Sequence, residues 1–170
     1  LYLGLAHANL SQNERALEVF ERAARLYPND TRFHDEMAGV HLAEGNVSAA
    51  VEALERAIAI DPGDAYASDL LASVRLAAGN VEAALATWSR VDRPRIDDVL
   101  ENFSPGFIHW SVGRALTFAP GDVLTYSDWK TTQARLFRTS LFSDVGLDVE
   151  PSGPDDLYNA IIRTSQRTHT

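Results

Sequence analysis

The chain has 170 residues, of which 45% are hydrophobic, so it is long enough to form one or two domains with a buried core. Its net charge is −9, and no basic stripe is available to neutralise phosphates, which argues against nucleic-acid binding. Cysteine is absent, which excludes disulfides and thiolate nucleophiles, and no apolar run approaches the roughly 18 residues of a membrane-spanning helix.

The first part of the chain, from Leu1 to about Arg93, repeats itself every 34 residues. Several columns share this period: Pro28 and Pro62; Ala16, Ala50 and Ala84; Gly45 and Gly79; Asn46 and Asn80; Phe20, Leu54 and Trp88. Proline and glycine end helices, and asparagine caps them. The pattern predicts helices near 1–10, 13–27, 31–43, 47–60, 65–78 and 81–92. It also predicts two surface ion pairs, Glu21–Arg25 and Glu52–Arg56.

These columns resemble the tetratricopeptide repeat, and the resemblance covers about 94 residues. The matching residues of the first repeat are Leu3, Gly4, Ala16, Phe20, Ala23 and Pro28. The family implies a curved solenoid whose concave face comes from the first helix of each pair. Carried over, the principal residues of this predicted repeat groove are Arg32, Asp35, Leu42, Tyr66, Asp69, Ser73 and Leu76.

The predicted repeat groove is small, mixed in polarity and mildly acidic. The Lys and Asn residues that bind chaperone C-termini in this family are absent from the matching columns, apart from Asn9. A chaperone co-adaptor is therefore not expected. The alternative is that the repeats only space or dock a neighbouring module.

The remaining residues predict the order strand, helix, helix, strand, strand. The first strand is expected at Arg95–Phe103, interrupted by Asp97 and Asp98, and the first helix from Pro105. Thr125 and Asp128 have the spacing of a capping box that opens the second helix. Alternation of apolar and polar residues over 143–150 predicts a half-buried strand. A strand at 157–164 follows, and its Ala-Ile-Ile run suggests burial on both faces.

This half resembles the polypeptide-transport-associated (POTRA) domain over roughly 75 residues. The resemblance rests on Gly121-Asp122, Leu124-Thr125, Arg135-Leu136, Leu141-Phe142 and Val145. Two family glycines are missing, one near Asn102-Phe103 and one at Ser140. The family implies a periplasmic location in front of an outer-membrane β-barrel. It also implies β-augmentation, in which an edge strand pairs with an extended client segment.

The segment 143–150 is the expected edge strand. Its predicted partner-binding residues are Val145, Gly146, Leu147, Asp148 and Val149. The alternative is that this strand only completes the sheet.

Catalytic, cofactor-binding and metal-binding residues are not predicted. His34 and His41 are seven positions apart on one helix, but a metal site needs more ligands at closer spacing. Both are expected to pack in the repeats, and His109 is expected to be structural. Asp97-Asp98 and Asp155-Asp156 are expected to be solvated, since acid–base chemistry needs paired carboxylates in a dry cleft. The tryptophans are expected in the cores, with Trp88 among the repeats and Trp110 and Trp129 between helices and sheet.

The sequence therefore predicts an α+β protein: an all-α tetratricopeptide solenoid at 1–94 and a small βααββ POTRA-like domain at 95–170. The predicted function is non-enzymatic. The chain would be the periplasmic, outer-membrane-attached part of a barrel assembly or secretion protein, and it would bind polypeptide clients or other protein subunits. Because Leu1 already lies inside a repeat, a longer parent protein is expected, with the barrel after Thr170 as its only membrane link.

Two other hypotheses remain open. The first is a free-standing, cytoplasmic tetratricopeptide adaptor with an unrelated C-terminal interaction domain. The second is an enzyme domain at 95–170. Neither interpretation predicts a cofactor, because no motif for one was found in the sequence.

Overall fold

Five helices form the first of the two units into which the chain divides, Leu1–Ala78 and Gly79–Thr170. A computed structural model describes residues 1–102, 108–153 and 157–166. The helices of the first unit are α1 Tyr2–Asn9, α2 Asn13–Leu26, α3 Arg32–Ala43, α4 Val47–Ile60 and α5 Ala65–Ala77. Their bounds follow the 34-residue period, and α2 and α4 end two residues before Pro28 and Pro62, as expected of proline.

One column of the repeat holds the residues that end the first helix of each pair. Gly45 and Gly79 have φ values of 73° and 79°, in the left-handed region that favours glycine. Ser11 occupies the same column in the first repeat and has φ 57°. A side chain with a Cβ is strained in this conformation, so the first repeat carries a local cost that the later repeats avoid.

The next column holds the residues that cap the second helix of each pair. The side chains of Asn46 and Asn80 accept backbone N–H bonds at 3.3 and 3.1 Å, from Ala49 and Ala83 respectively. Gln12 makes no such bond, and its Oε1 lies 2.7 Å from a ring nitrogen of His7 instead. The capping chemistry predicted by the repeat is therefore present in the second and third repeats and absent from the first.

The core of the first unit consists of apolar side chains from α2 to α5. Phe20 and Leu54, which share a column, are fully buried. Small alanines from the same helices are also fully buried and permit close helix packing: Ala16, Ala38, Ala50, Ala57, Ala67 and Ala72. The column pattern therefore identified the inward-facing positions of this unit.

The second unit begins with a helix and continues with the expected order of strands and helices. Its elements are α6 Val81–Trp88, β1 Arg95–Asn102, α7 Ile108–Ala115, α8 Tyr126–Arg138, β2 Phe142–Pro151 and β3 Leu157–Gln166. The sheet order is β1-β3-β2, with β1 parallel and β2 antiparallel to β3. A register shift in β1 between Ile96 and Asp98 accounts for the interrupted strand pattern.

Side chains alternate across β2 as the sequence predicts. Val145, Leu147 and Val149 are buried, and α8 packs against this strand. The capping box at the start of α8 is formed: the Asp128 backbone N–H donates to Thr125 Oγ1 at 3.1 Å, and the Thr125 N–H donates to the Asp128 carboxylate at 3.2 Å. In β3, Ile161 is only half-buried, so the expected burial on both faces is wrong there.

Trp88 of α6 packs against the sheet of the second unit. Its ring is fully buried, and it lies 5.3 Å from the ring of Tyr158 in β3, measured between centroids. Lys130 of α8 also reaches Glu82 of α6 at 3.2 Å. By these contacts, helix α6 groups with the second unit, Gly79–Thr170.

Some expected features lie outside the described residues. They are the helix start at Pro105, the position near Phe103 where the POTRA family has a glycine, the end of the turn at 154–156, and the side chains of His109 and Trp110. Among the residues that the structure describes, no helix has both the length and the apolar character needed to cross a bilayer.

Candidate functional site

The predicted repeat groove brings together Asp35 of α3 and Tyr66 of α5. Within the described residues, Oδ1 of Asp35 is buried and has no hydrogen-bond partner. Burial raises the pKa of Asp35 to about 7, with a further contribution from the carboxylates of Asp64, Glu36 and Asp30. Burial is also the largest cause that raises the pKa of Tyr66. The negative charges of Glu36, Asp35 and Asp64 raise it further. We call Asp35, Glu36, Asp64 and Tyr66 the acidic patch.

Arg32 is the only cation of the predicted groove, and it pairs outside the acidic patch. Its Nε and a terminal guanidinium nitrogen donate to the two carboxylate oxygens of Asp30 at 2.9 and 2.6 Å. This hydrogen-bonded pairing lowers the pKa of Asp30. The Asp35 carboxylate is therefore left without a compensating charge from the guanidinium one turn before it.

The other predicted groove residues have more ordinary surroundings. Leu42 is half-buried and packs against the core of the first unit, so part of its surface serves packing. Asp69, Ser73 and Leu76 are half-buried along α5. Their role as partner contacts remains a prediction.

The predicted edge strand lies at the border of the described sheet. β2 pairs with β3 on one side, and no other described strand pairs with it. Gly146 and Asp148 lie on the face opposite to Val145, Leu147 and Val149, and Asp148 binds Arg163 of β3 at 2.7 Å. An edge strand of this kind offers backbone donors and acceptors to another chain.

One side chain of α8 reaches the backbone of β2. The Gln133 side-chain amide donates a hydrogen bond to the Val145 carbonyl at 3.2 Å. In an antiparallel pair, alternate residues direct their backbone groups toward the partner strand and away from it. Val145, Leu147 and Val149 alternate along β2, so their backbone groups point to the same side of the strand.

Sequence reasoning missed a second surface of the first unit. A cleft of about 480 Å³ is lined by residues of α2, α3 and α4, including Arg25, His34, Met37 and Arg56. None of these four belongs to the predicted repeat groove. The 34-residue period alone does not reveal the cleft, because its lining comes from three different helices and depends on how they pack.

Metal-binding chemistry finds no support within residues 1–102, 108–153 and 157–166. In that part of the chain, no three His, Cys, Asp or Glu side chains are grouped closely enough to hold a metal ion.

The imidazole of His34 lines the cleft of the first unit. Burial lowers the pKa of His34, and the nearby positive charge of Arg56 lowers it further.

Comparison with known proteins identifies the repeats. The tetratricopeptide repeat family model matches residues 8–74 and 41–95, which together are more than half of the chain. No curated protein matches the chain.

Solved structures with some likeness include the type III secretion chaperone SycD of Yersinia enterocolitica in complex with a peptide of the translocator YopD. It shares 15% identity with a TM-score of 0.47, over 81% of this chain and 90% of that chain. In another SycD structure, with 20% identity and a TM-score of 0.45, the match covers 51% of this chain and 61% of that chain. The Sgt2 tetratricopeptide domain of Aspergillus fumigatus shares 14% identity with a TM-score of 0.48, over 91% and 87%.

Similarities of this size do not bear on function. The family match does, because tetratricopeptide repeats mediate protein–protein interaction. With its family match over more than half of its length, the chain belongs to the tetratricopeptide repeat family.

Proposed function

We propose that the chain is a non-enzymatic adaptor that binds partner polypeptides through its repeats, on the face that carries the acidic patch. The observation that carries this proposal is the Asp35 carboxylate, which has a buried and unpartnered oxygen while Arg32 is bound to Asp30. A lysine or arginine side chain of a partner would supply the missing charge and hydrogen bond. The ring of Tyr66, which is 61% exposed, would pack against the same side chain.

Three acetylated and amidated pentapeptides test this proposal: ALKLA, ALQLA and ALELA. Nitrogen-15 NMR titration of the whole chain should show shifts of the α3 and α5 amides with the lysine peptide, and at least tenfold weaker binding of the glutamine peptide. Asp35→Asn should abolish the preference for lysine. Glu18→Gln, an exposed change on α2, is the matched control and should leave it intact. Equal binding of the lysine and glutamine peptides would contradict the proposal.

The second unit would contribute a separate binding mode to the same adaptor. An extended partner segment would add to the sheet along β2 and pair with the backbone groups of Val145, Leu147 and Val149. Such pairing depends on the main chain, so it tolerates many partner sequences. The Gln133 contact at Val145 would direct a partner toward the Leu147 end of the strand, where the backbone groups have no such side-chain contact among the described residues.

A second candidate function is protein assembly or secretion at the bacterial outer membrane, with the chain in the periplasm. The observation that favours it is the βααββ order with sheet order β1-β3-β2, which fits the POTRA resemblance. The test is to express the parent protein with an epitope tag and to measure protease sensitivity before and after osmotic shock. Protection until the inner membrane is broken would exclude a periplasmic location and would leave the adaptor proposal untouched.

A further inference from the structure

Three columns of the repeat are exposed in α1 and covered in the later repeats. Leu3 is 62% exposed, while Met37 of α3 and Leu71 of α5, which hold the same column, are 7% and 2% exposed. Tyr2 and Ala6 are also exposed, whereas the later residues of their columns are half-buried or buried: Glu36, Leu70, Val40 and Val74. In no other column of α1 is the first residue exposed and both later residues covered.

The side chains of Tyr2, Leu3 and Ala6 form one continuous patch, which we call the α1 face. Residues three and four positions apart are neighbours on a helix, so Ala6 lies beside both Leu3 and Tyr2. Gly4 lies against the Phe20 ring of α2 on a different side of the helix. Helix α2 therefore leaves the α1 face open, in agreement with the exposure of Leu3.

In the later repeats, the equivalent surface packs against the second helix of the preceding repeat. Helix α2 packs against α3, and α4 packs against α5. The ring of Tyr27, which follows α2, lies 6.2 Å from the ring of Phe33, measured between centroids. Phe33 is one turn before Met37 on α3, and both belong to the core of the first unit. The α1 face is thus the surface on which the second helix of a preceding repeat would pack.

The composition of α1 differs from that of a repeat that ends a solenoid. Terminal repeats carry a polar outer face, because their outer side meets water. Helix α1 contains no Asp, Glu, Lys or Arg, and the α1 face consists of a leucine, a tyrosine ring and an alanine methyl group. An apolar surface at the edge of a repeat array favours a further repeat over solvent.

We propose that the α1 face packs against the second helix of a further tetratricopeptide repeat, which the same polypeptide supplies ahead of Leu1. This contact would continue the series that α2 forms with α3 and α4 forms with α5. It would also lengthen the predicted repeat groove by one helix pair. None of the three residues of the α1 face belongs to the acidic patch, so this interface and the proposed function can fail separately.

The first test is to sequence the gene upstream of the codon for Leu1. One period of 34 residues before Ala16, Ala23 and Pro28, we expect two alanines and a proline. Upstream residues without these columns would overturn the proposal.

The second test compares the 170-residue chain with a chain extended by the preceding period. Hydrogen exchange of the α1 amides should be about tenfold slower in the extended chain, because the added helix holds α1 in place. A Gly-Ser segment of the same length is the control, since it removes the free chain end without supplying a helix. Equal protection by the two extensions would overturn the proposal.

A pair of variants in the extended chain tests the α1 face itself. Leu3→Asp places a charge in this face and should abolish the added protection of α1. Asn9→Asp is the matched control on the same helix, because its column, with Ala43 and Ala77, is exposed in all three repeats. It should leave the protection within about twofold. An equal loss in both variants would show that the α1 face is not the contact.

A second copy of the chain is the competing occupant of the α1 face. Sedimentation of the 170-residue chain and of its Leu3→Asp variant distinguishes the two occupants. A dimer that Leu3→Asp converts to a monomer would overturn the proposal, because the partner would then be another copy. Equal sedimentation of the two proteins as monomers is the result that we expect.

Discussion

Gly4 of α1 lies directly against the ring of Phe20 in α2, so closely that a Cβ at Gly4 would overlap the ring. Phe20 is fully buried and cannot move aside easily. We therefore expect Gly4→Ala to destabilise the first unit by about 1–3 kcal/mol, as overpacking does. Urea denaturation of the two proteins gives the difference.

The control for this change is Gly39→Ala in α3, where no atom lies within 4 Å of the added Cβ. Alanine favours helix over glycine, so this variant should gain about 0.5–1 kcal/mol. If both variants change stability in the same direction, close packing of Gly4 on Phe20 is not the cause.

The first repeat should gain stability when it receives the turn residues of the later repeats. Ser11→Gly relieves the positive φ of 57°, and Gln12→Asn supplies a helix cap. Together we expect a gain of about 1–2 kcal/mol, measured by thermal and urea unfolding. The reverse changes, Gly45→Ser with Asn46→Gln, should lose a similar amount. A gain in both pairs would mean that these columns do not determine the helix ends.

Asp35 should make the stability of the first unit depend on pH. Its pKa is raised from 3.8 to about 7, so the folded state binds this proton more tightly than the unfolded state. The resulting stabilisation is fully present below the unfolded pKa and is lost as the pH rises through the folded pKa.

Asp35→Asn should therefore be more stable than the parent chain above pH 7, by about 1–2 kcal/mol after allowance for solvent screening. The difference should shrink toward pH 4. Urea denaturation across this range measures it, and NMR titration of the Asp35 carboxyl carbon gives the pKa directly. An advantage of the variant that grows as the pH falls would show that the sign is wrong.

Pairing along β2 should depend on the backbone N–H of Leu147. Leu147→Pro and Leu147→Ala both remove a buried side chain, but only proline removes the N–H. With an eight-residue extended peptide as the client, we expect the proline variant to bind about tenfold more weakly than the alanine variant. Circular dichroism identifies variants that remain folded. Equal binding by two folded variants would exclude edge pairing at this position.

Much of the fold follows from local patterns in the sequence. The 34-residue period places the helices because each column has one physical role: small residues in helix contacts, glycine at φ 73° and 79°, asparagine at caps. In the second unit, the alternation at Val145, Leu147 and Val149 and the capping box at Thr125 are equally local. Such signals act within one element, so a single sequence is enough to read them.

The sites were less predictable because they depend on which side chains pair and which helices pack together in the folded chain. Arg32 has carboxylates two residues before it and three after it, and only the folded structure shows that Asp30 is its partner. The cleft at Arg25 and Arg56 requires three helices at their final separation. The 34-residue period predicts neither the unpartnered oxygen of Asp35 nor the open cleft.

The tilted contact between the Trp88 and Tyr158 rings extends the C-terminal unit beyond its sheet to include α6. A fragment that begins at residue 95 would lose the Trp88 ring that packs against Tyr158, and it would lose the Glu82 end of an ion pair with Lys130. Recombination that transplants this unit onto another repeat array would therefore have to carry α6 along with it. Helix α6 is therefore part of the smallest fragment that keeps these contacts of the sheet and of α8.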